Sequence, residues 1–439
     1  MRLVMDRLAL IAALLASAAG SAAAEGPGTA RIAVASDLHY LAPALHDSGP
    51  RYATLLEGGD CKNLAQVENL AACLAWSLAE GADRPDCLVI TGDLTLNGER
   101  GSHLALAALL RALLASGTRV LVLPGNHDLS NPYARRFEGE LALATESVGP
   151  EDFAAIWADF GYAEALDRDL GSLSYVARAA PGLRILMLDT TESERNGELG
   201  YPVCGGSVSD ETRAWIGRAA ARASAAGERL IAAMHHSLVD HNSVVNQGYT
   251  VEGAEELAEL LAGLGVGLVL SGHTHVQDIA EAATPSGKIV DLSSGSLAVY
   301  PHLVGSLELG ADGSIGYSKA SLDVASWASS ERPGDPGLAD FAAKAESFFL
   351  ERSAGMFSSL IEGSDAGGAL SARERMELAA LLARRNARFF SGEDFEAAAD
   401  PEAARAESLV SRLDAGFLEA YARSIAEDET PLAWPMAGK

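Results

Sequence analysis

From Val120 to Asp128 the chain reads Val-Leu-Val-Leu-Pro-Gly-Asn-His-Asp. An apolar run that stops at Pro124-Gly125 and then delivers an amide, an imidazole and a carboxylate is the pattern of a buried strand ending at a site. Asn126 offers a neutral oxygen ligand. His127 offers a proton that moves near neutral pH, and Asp128 a carboxylate able to hold that imidazole. A strand that stops in a polar turn is common. What constrains the fold is that four other strand ends in the chain do the same.

Arg31 to Ala35 reads as a strand ending in Ser36-Asp37-Leu38-His39. Tyr40 to Asp60, with its prolines and glycines, reads as a long loop beside that end. Lys62 to Glu80 carries apolar residues at helical spacing. Cys87 to Thr91 is the second strand, ending in Gly92-Asp93, and the leucine-rich helix Leu104 to Ser116 leads into the Val120 strand. This alternation argues for an α/β sheet with parallel strands, whose ligands gather outside the carboxyl ends.

Tyr133 to Phe160 reads as helical in pieces. Ser172 to Ala177 and Leu183 to Asp189 read as an antiparallel pair about Pro181-Gly182, with Asp189 structural. Ser209 to Ala226 is a helix capped by Ser209 or Asp210. Leu230 to Met234 is a strand ending in His235-His236. Val251 to Leu264 is a helix closed by Gly265, and Val266 to Leu270 a strand ending in Ser271-Gly272-His273-Thr274-His275. Ile289 to Ser293 and Leu303 to Leu309 are further strands, with a turn at Gly313. From about Asp335 strand signals vanish. Phe341 to Ile361, Ala372 to Phe390 and Pro401 to Ile425 read as amphipathic helices, capped at Ser371 and Asp400. They form a small helical domain or a cap on the main one.

The expected organisation is a signal peptide over 1–24, a catalytic domain over 25–330 and a helical domain over 331–439. Arg2 and Arg7, the apolar Leu8 to Leu15 and the small Ala22-Ala23-Ala24 make the signal. An uncleaved anchoring helix is the alternative, and no other stretch approaches a membrane span. Export would place the protein in a periplasm or outside the cell. There a disulfide is allowed, and Cys61 and Cys204, both in expected loops, are expected to pair, while Cys87 reads as a buried thiol. The four cysteines match no zinc spacing. With 439 residues, 48% of them hydrophobic, the chain can bury a sizeable core. A net charge of −27 repels polyanions, so extended nucleic acid is not an expected partner. A small anionic substrate is compatible, because bound metal reverses the local field.

The strand ends collect as Asp37-x-His39, Gly92-Asp93, Gly125-Asn126-His127-Asp128, His235-His236 and Gly272-His273-x-His275. Each supplies a carboxylate, an amide oxygen or an imidazole. Together they are ligands suited to two divalent ions. Asp-x-His and His-x-His place both side chains on one side of an extended segment, and the glycines permit close backbone approach. Asp93 is the candidate to bridge. One such motif alone is usually packing; five at successive strand ends are hard to obtain from packing needs.

On this motif series, D-x-H, GD, GNH(D/E), H and GH-x-H, the chain resembles the calcineurin-like metallophosphoesterases over roughly Arg31 to Leu309. Its longer motifs, such as Gly92 to Glu99 and Ser271 to Asp278, with the helical tail, are similar to those of exported bacterial cyclic-nucleotide phosphodiesterases. The resemblance implies an α/β fold, a four-layer α/β/β/α sandwich, followed here by a C-terminal α-helical domain. It implies that Asp37, His39, Asp93 and His275 hold one metal and Asp93, Asn126, His235 and His273 the other. His127 would stand by the leaving group with Asp128 fixing its tautomer, and His236 would support the site or face substrate. Leu96 stands where purple acid phosphatases have a tyrosine ligand, which argues against that subgroup.

The implied cofactors are two divalent transition-metal ions, manganese, iron or zinc. The implied reaction is attack on a small phosphodiester, cyclic nucleotides first, by a water activated between the metals. A broad phosphomonoesterase or nucleotidase is the alternative. The intact ligand set argues against a catalytically dead scaffold. Outside the motifs, His103 reads as a surface or capping residue. Asp240 and His241 read as pocket-lining or solvated, and Asn97 as a candidate substrate contact.

Overall fold

The computed structural model describes residues 29–80, 84–310, 312, 314–365, 368–393, 401–413 and 416–425. The signal segment 1–24, the turn at Gly313 and the cap at Asp400 lie outside them.

Two sheets face each other. The first begins with β1 (Ala30–Ala35), β2 (Cys87–Ile90) and β3 (Arg119–Val122), which run parallel with Ile32 opposite Cys87 and Cys87 opposite Arg119. A hairpin of β4 (Arg135–Glu138) and β5 (Leu141–Ala144) stands apart. The second sheet contains β6 (Asp167–Arg168), β7 (Tyr175–Ala180), β8 (Leu183–Leu188), β9 (Arg229–Met234), β10 (Leu268–Ser271), β11 (Asp278–Thr284) and β12 (Gly287–Ser293). The chain returns to the first sheet as β13 (Leu303–Leu309) and β14 (Ile315–Ser321). The strand orders are β14-β13-β1-β2-β3 and β11-β12-β10-β9-β8-β7-β6. The central strands of each sheet are parallel, and the antiparallel members lie at the edges.

Side-chain alternation builds the layers. In β9, Ile231 and Ala233 enter the core between the sheets, whereas Leu230, Ala232 and Met234 join Trp215, Ile216, Leu257 and Leu261 of the outer helices Asp210–Ala225 and Ala254–Gly263. On the other side Leu70, Leu74, Leu106 and Leu110 of helices Val67–Ala79 and Arg100–Ser116 pack with the first sheet. The result is the four-layer α/β/β/α sandwich. Among the described residues no helix is long and apolar enough to cross a membrane.

Beyond the sandwich, helices Phe341–Ser364, Ala372–Ser391, Pro401–Val410 and Gly416–Ser424 share a core of their own around Phe357, Ile361, Leu382 and Leu409. Ser371 and Glu374 close a capping box at the second. This unit leans on the loops that follow the sandwich strands. The Gln277 amide donates to Phe390 O at 3.2 Å, Asn242 Nδ2 to Ser424 Oγ at 3.0 Å and Arg352 Nη2 to Leu56 O at 2.9 Å.

Three expectations are corrected. The loop Tyr40–Asp60 contains the helix Pro50–Glu57; its proline sits in the first turn, where the missing N–H costs nothing. Within Tyr133–Phe160 the first half is the β4–β5 hairpin, turned at Gly139 with φ 56°. Cys61 and Cys204 are free thiols, as are Cys73 and Cys87. Cys204 lies instead against His273, with Sγ 3.7 Å from Nε2.

Candidate metal centre

The carboxyl ends of β1, β2 and β3 meet those of β9 and β10 between the two sheets. Cross-sheet hydrogen bonds fix the meeting. Thr91 Oγ1, after β2, donates to Ser271 O of β10 at 3.2 Å, and the His273 amide, after β10, donates to Asp37 Oδ2, after β1, at 3.0 Å. Two glycines allow this proximity. A Cβ on Gly125 would stand 2.2 Å from Asp93 Oδ1, and one on Gly272 2.0 Å from Ser36 Oγ. Five residues of the cluster, Asp37, His39, Asp93, His273 and His275, have φ between 44° and 66°. Non-glycine residues are strained there, by about 1–3 kcal/mol each, and such strain gathers at functional sites.

Two donor groups result. Asp37, His39, Asp93 and His275 offer ligand atoms within 4.8 Å of one another, and so do Asp93, His235 and His273. Asn126 joins the second through Oδ1, 3.0 Å from His235 Nε2. Asp93 belongs to both: Oδ2 lies 3.8 Å from His39 Nε2 and Oδ1 3.5 Å from His235 Nε2.

These residues fit cations. Asp37 Oδ1 is buried without a hydrogen-bond partner among the described residues. It faces His275 Nε2 at 3.3 Å, and the His275 and His39 Nε2 atoms stand 3.0 Å apart. Ligand atoms crowded together in a largely buried site are what a positive ion between them relieves.

The surrounding backbone presents the imidazoles. His235 Nδ1 donates to Thr91 O at 2.8 Å, leaving Nε2 for the site. His273 Nε2 donates to Gly248 O at 3.0 Å, leaving Nδ1. Fixing one ring nitrogen in this way frees the other as a ligand. Burial, then neighbouring imidazoles, pushes His235 down to about 3; a neutral ring is the ligand form. For Asp93, burial followed by the Asp37 and Asp128 carboxylates raises the carboxyl well above its ordinary range.

His127 stands at the rim, its side chain 28% exposed and Nε2 4.0 Å from Asp93 Oδ2. Its Nδ1 donates to Leu96 O at 2.7 Å. Burial, then the Lys62 ammonium, pushes the ring down to about 4. The role expected for Asp128 is corrected here. Its carboxylate accepts from the Leu94, Thr95 and Gly125 amides and from Thr95 Oγ1, at 2.9 to 3.0 Å. With its oxygens filled by the turns that carry Asp93 and Asn126, Asp128 is a strut for those turns. The Leu96 carbonyl, not Asp128, sets the His127 tautomer.

Other candidates find structural places. His236 bonds Thr190 Oγ1 at 2.7 Å and Cys204 O at 2.9 Å, so neither ring nitrogen is left for a substrate. His103, expected at the surface, is fully buried between Trp157 Nε1 and Asp128 O. His241 is buried between Asp278 and Asp291, and Asp240 accepts from Asn246 in the same loop. Asn97 Oδ1 faces Asn131 Nδ2 at 3.5 Å. Asp189 accepts from the Leu173 and Thr191 amides. Sequence reading missed the orienting carbonyls of Thr91, Leu96 and Gly248, which no side chain announces. It also missed Lys62, a lone lysine outside every motif.

Comparison with known proteins adds family, sequence and structural matches. Residues 30–277 match the family described as calcineurin-like phosphoesterase, and residues 323–431 match the C-terminal domain of cyclic nucleotide phosphodiesterase. A protein of Mycobacterium tuberculosis named cAMP/cGMP dual specificity phosphodiesterase is 28% identical over 250 residues, covering 54% of this chain and 66% of that protein. One of Rhodococcus erythropolis, named as a probable cyclic nucleotide phosphodiesterase, is 26% identical over 215 residues, covering 49% of this chain and 59% of its own. The chain thus spans less than two thirds of either relative. Among solved structures, a dimetal phosphatase from Danio rerio aligns over 68% of this chain and 100% of its own, at 14% identity and a TM-score of 0.44.

Proposed function

The chain belongs to the calcineurin-like phosphoesterase family, and from that premise we propose that it hydrolyses small phosphodiesters, cyclic nucleotides first, with two divalent metal ions. The observation that carries this is Asp93, whose two oxygens serve two separate donor groups. In this reading Asp37, His39, Asp93 and His275 hold one ion and Asp93, Asn126, His235 and His273 the other. Mixed carboxylate, amide and imidazole donors suit manganese, iron or zinc. When bound, such a pair acidifies water and draws charge from the phosphoryl group, which suits one of the slowest uncatalysed hydrolyses known.

The protein's own groups do the rest. Asp37 keeps Oδ1 open while Ser36 Oγ and the His273 amide occupy Oδ2, so the carboxylate enters the site already oriented. His127, held through Nδ1 by Leu96, turns Nε2 toward the site. With Nδ1–H held by Leu96 O, Nε2 is the basic nitrogen of the neutral ring; it takes up a proton once the anionic ester is bound and gives that proton to the departing oxygen as the phosphorus–oxygen bond breaks. Cyclic nucleotides come first because the two relatives bear that activity in their names and because residues 323–431 match a domain described from such enzymes.

The test is turnover of bis(p-nitrophenyl) phosphate against p-nitrophenyl phosphate in manganese by residues 25–439, with Asp93→Asn as control. Faster diester turnover, lost in the variant, is the expected result. Faster monoester turnover would replace this reading with a phosphomonoesterase or nucleotidase.

A further inference from the structure

Two anionic partners, a carboxylate-rich site and a phosphate ester, must meet inside a chain whose net charge is −27. Among the described residues the ion-pair partners of Asp37 and Asp93 are histidines. A fixed cation beside the site would offset that field, and the backbone of Lys62 is held close to it.

Lys62 sits just before the 3-10 turn Leu64–Gln66 that leads into helix Val67–Ala79. Its backbone forms a bridge with Val299, and the next amide, Asn63, donates to Ala298 O at 2.7 Å. That strip is itself tied to the metal centre: the Ala298 and Leu297 amides donate to Asp37 O and Ser36 O, and Ser296 Oγ donates to Asp37 O at 2.7 Å. Lys62 is therefore carried on backbone that is tied, through Ala298, to the backbone of Asp37. Its side chain is 17% exposed, although a lysine on a free surface keeps its ammonium in water.

The electrostatics agree with this placement. After burial, the Lys62 ammonium is the next cause holding the His39 and His127 imidazoles down, and it favours the ionised form of Asp93. Its ion-pair partner is Asp60, at 3.6 Å, whose side chain is 84% exposed. A long pair to a solvated carboxylate is weak, so an incoming phosphoryl oxygen can take its place. A compact ammonium with three donors is a common phosphate ligand.

We propose that Lys62 is the substrate-binding cation of this site, donating to a non-bridging oxygen of the phosphoryl group and releasing Asp60 as it does so. The assignment rests on the phosphoesterase reading for its substrate, but inorganic phosphate probes it directly. The experiment titrates phosphate into the manganese-loaded chain by calorimetry, with metal content measured in parallel, for wild type, Lys62→Met, Lys62→Arg and Asp60→Asn. Removing a charge-assisted hydrogen bond is expected to raise the phosphate Kd about tenfold or more in Lys62→Met with metal content unchanged. Lys62→Arg should keep most of the affinity. Asp60→Asn should tighten phosphate binding by about two- to fivefold, since it removes a competitor.

For bis(p-nitrophenyl) phosphate, kcat/KM of Lys62→Met should fall in parallel with phosphate affinity. Unchanged phosphate affinity in Lys62→Met would overturn the assignment. So would weaker binding in Asp60→Asn, which would mark the ion pair as a brace. Because phosphate binding is read without turnover, the Lys62 result stands even where a diester proves to be the wrong substrate.

Discussion

Asp128 and His127 are neighbours in the chain with opposite duties. Asp128 is fully buried and gathers three backbone amides and a hydroxyl. Asp128→Asn puts an amide N–H₂ where donors converge, so it should cost about 2–3 kcal/mol in urea unfolding. His127→Ala removes a rim side chain. It should leave stability and metal content near wild type while slowing hydrolysis of poor leaving groups more than good ones. Equal losses on both leaving groups would speak against proton donation from Nε2. Sequence adjacency suggests that these two side chains touch. It could not show that Asp128 turns back to the Gly92–Thr95 turn, because that depends on where a second strand end lies. The backbone carbonyls that aim the imidazoles are equally silent in a sequence. The polar residues themselves were legible, since apolar strands that stop in Asp, Asn and His stand out.

At the scale of elements, the ends of β9 to β12 are stapled by one buried carboxylate. Asp291 in β12 accepts from the Leu238 and Val239 amides after β9 and from Ser271 Oγ at the end of β10. His241 lies against it at 3.4 Å and against Asp278 at the start of β11 at 2.8 Å. Burial works to lower the His241 pKa, but the hydrogen bond to Asp278 and the nearby Asp291 carboxylate win and lift it to about 10. A raised folded-state pKa means stabilisation complete below the ordinary value of 6.5 and lost as pH rises through about 10. His241→Gln should therefore destabilise by roughly 3 kcal/mol at pH 6 and clearly less above pH 10, read from denaturant curves. A pH-independent difference would contradict a charged His241.

Long periodic segments such as Arg100–Ser116 and Asp210–Ala225 could be read from their spacing. The helix Pro50–Glu57 and the β4–β5 hairpin could not. The helix is short and opens on a proline, and each hairpin strand has four residues. Tertiary packing decides segments of that size.

The whole molecule brings five strand ends from two sheets to one place, and this explains why no single motif is diagnostic. Parallel strands in each sheet aim their carboxyl ends the same way, and facing the sheets superposes the two sets. The C-terminal helices then cover the flanks of that mouth through Gln277, Asn242 and Arg352. Their presence was legible from amphipathic spacing. Their docking was not, since it rests on backbone contacts such as Gln277 with Phe390.

Asp93 is proposed to join two metal sites into one. The direct measurement is metal content per chain by mass spectrometry after manganese loading and desalting, for wild type, Asp37→Asn and Asp93→Asn. About two ions are expected in wild type, about one in Asp37→Asn, and fewer in Asp93→Asn than in Asp37→Asn. A wild type that holds one ion or none, or an Asp93→Asn protein that keeps both, would contradict it.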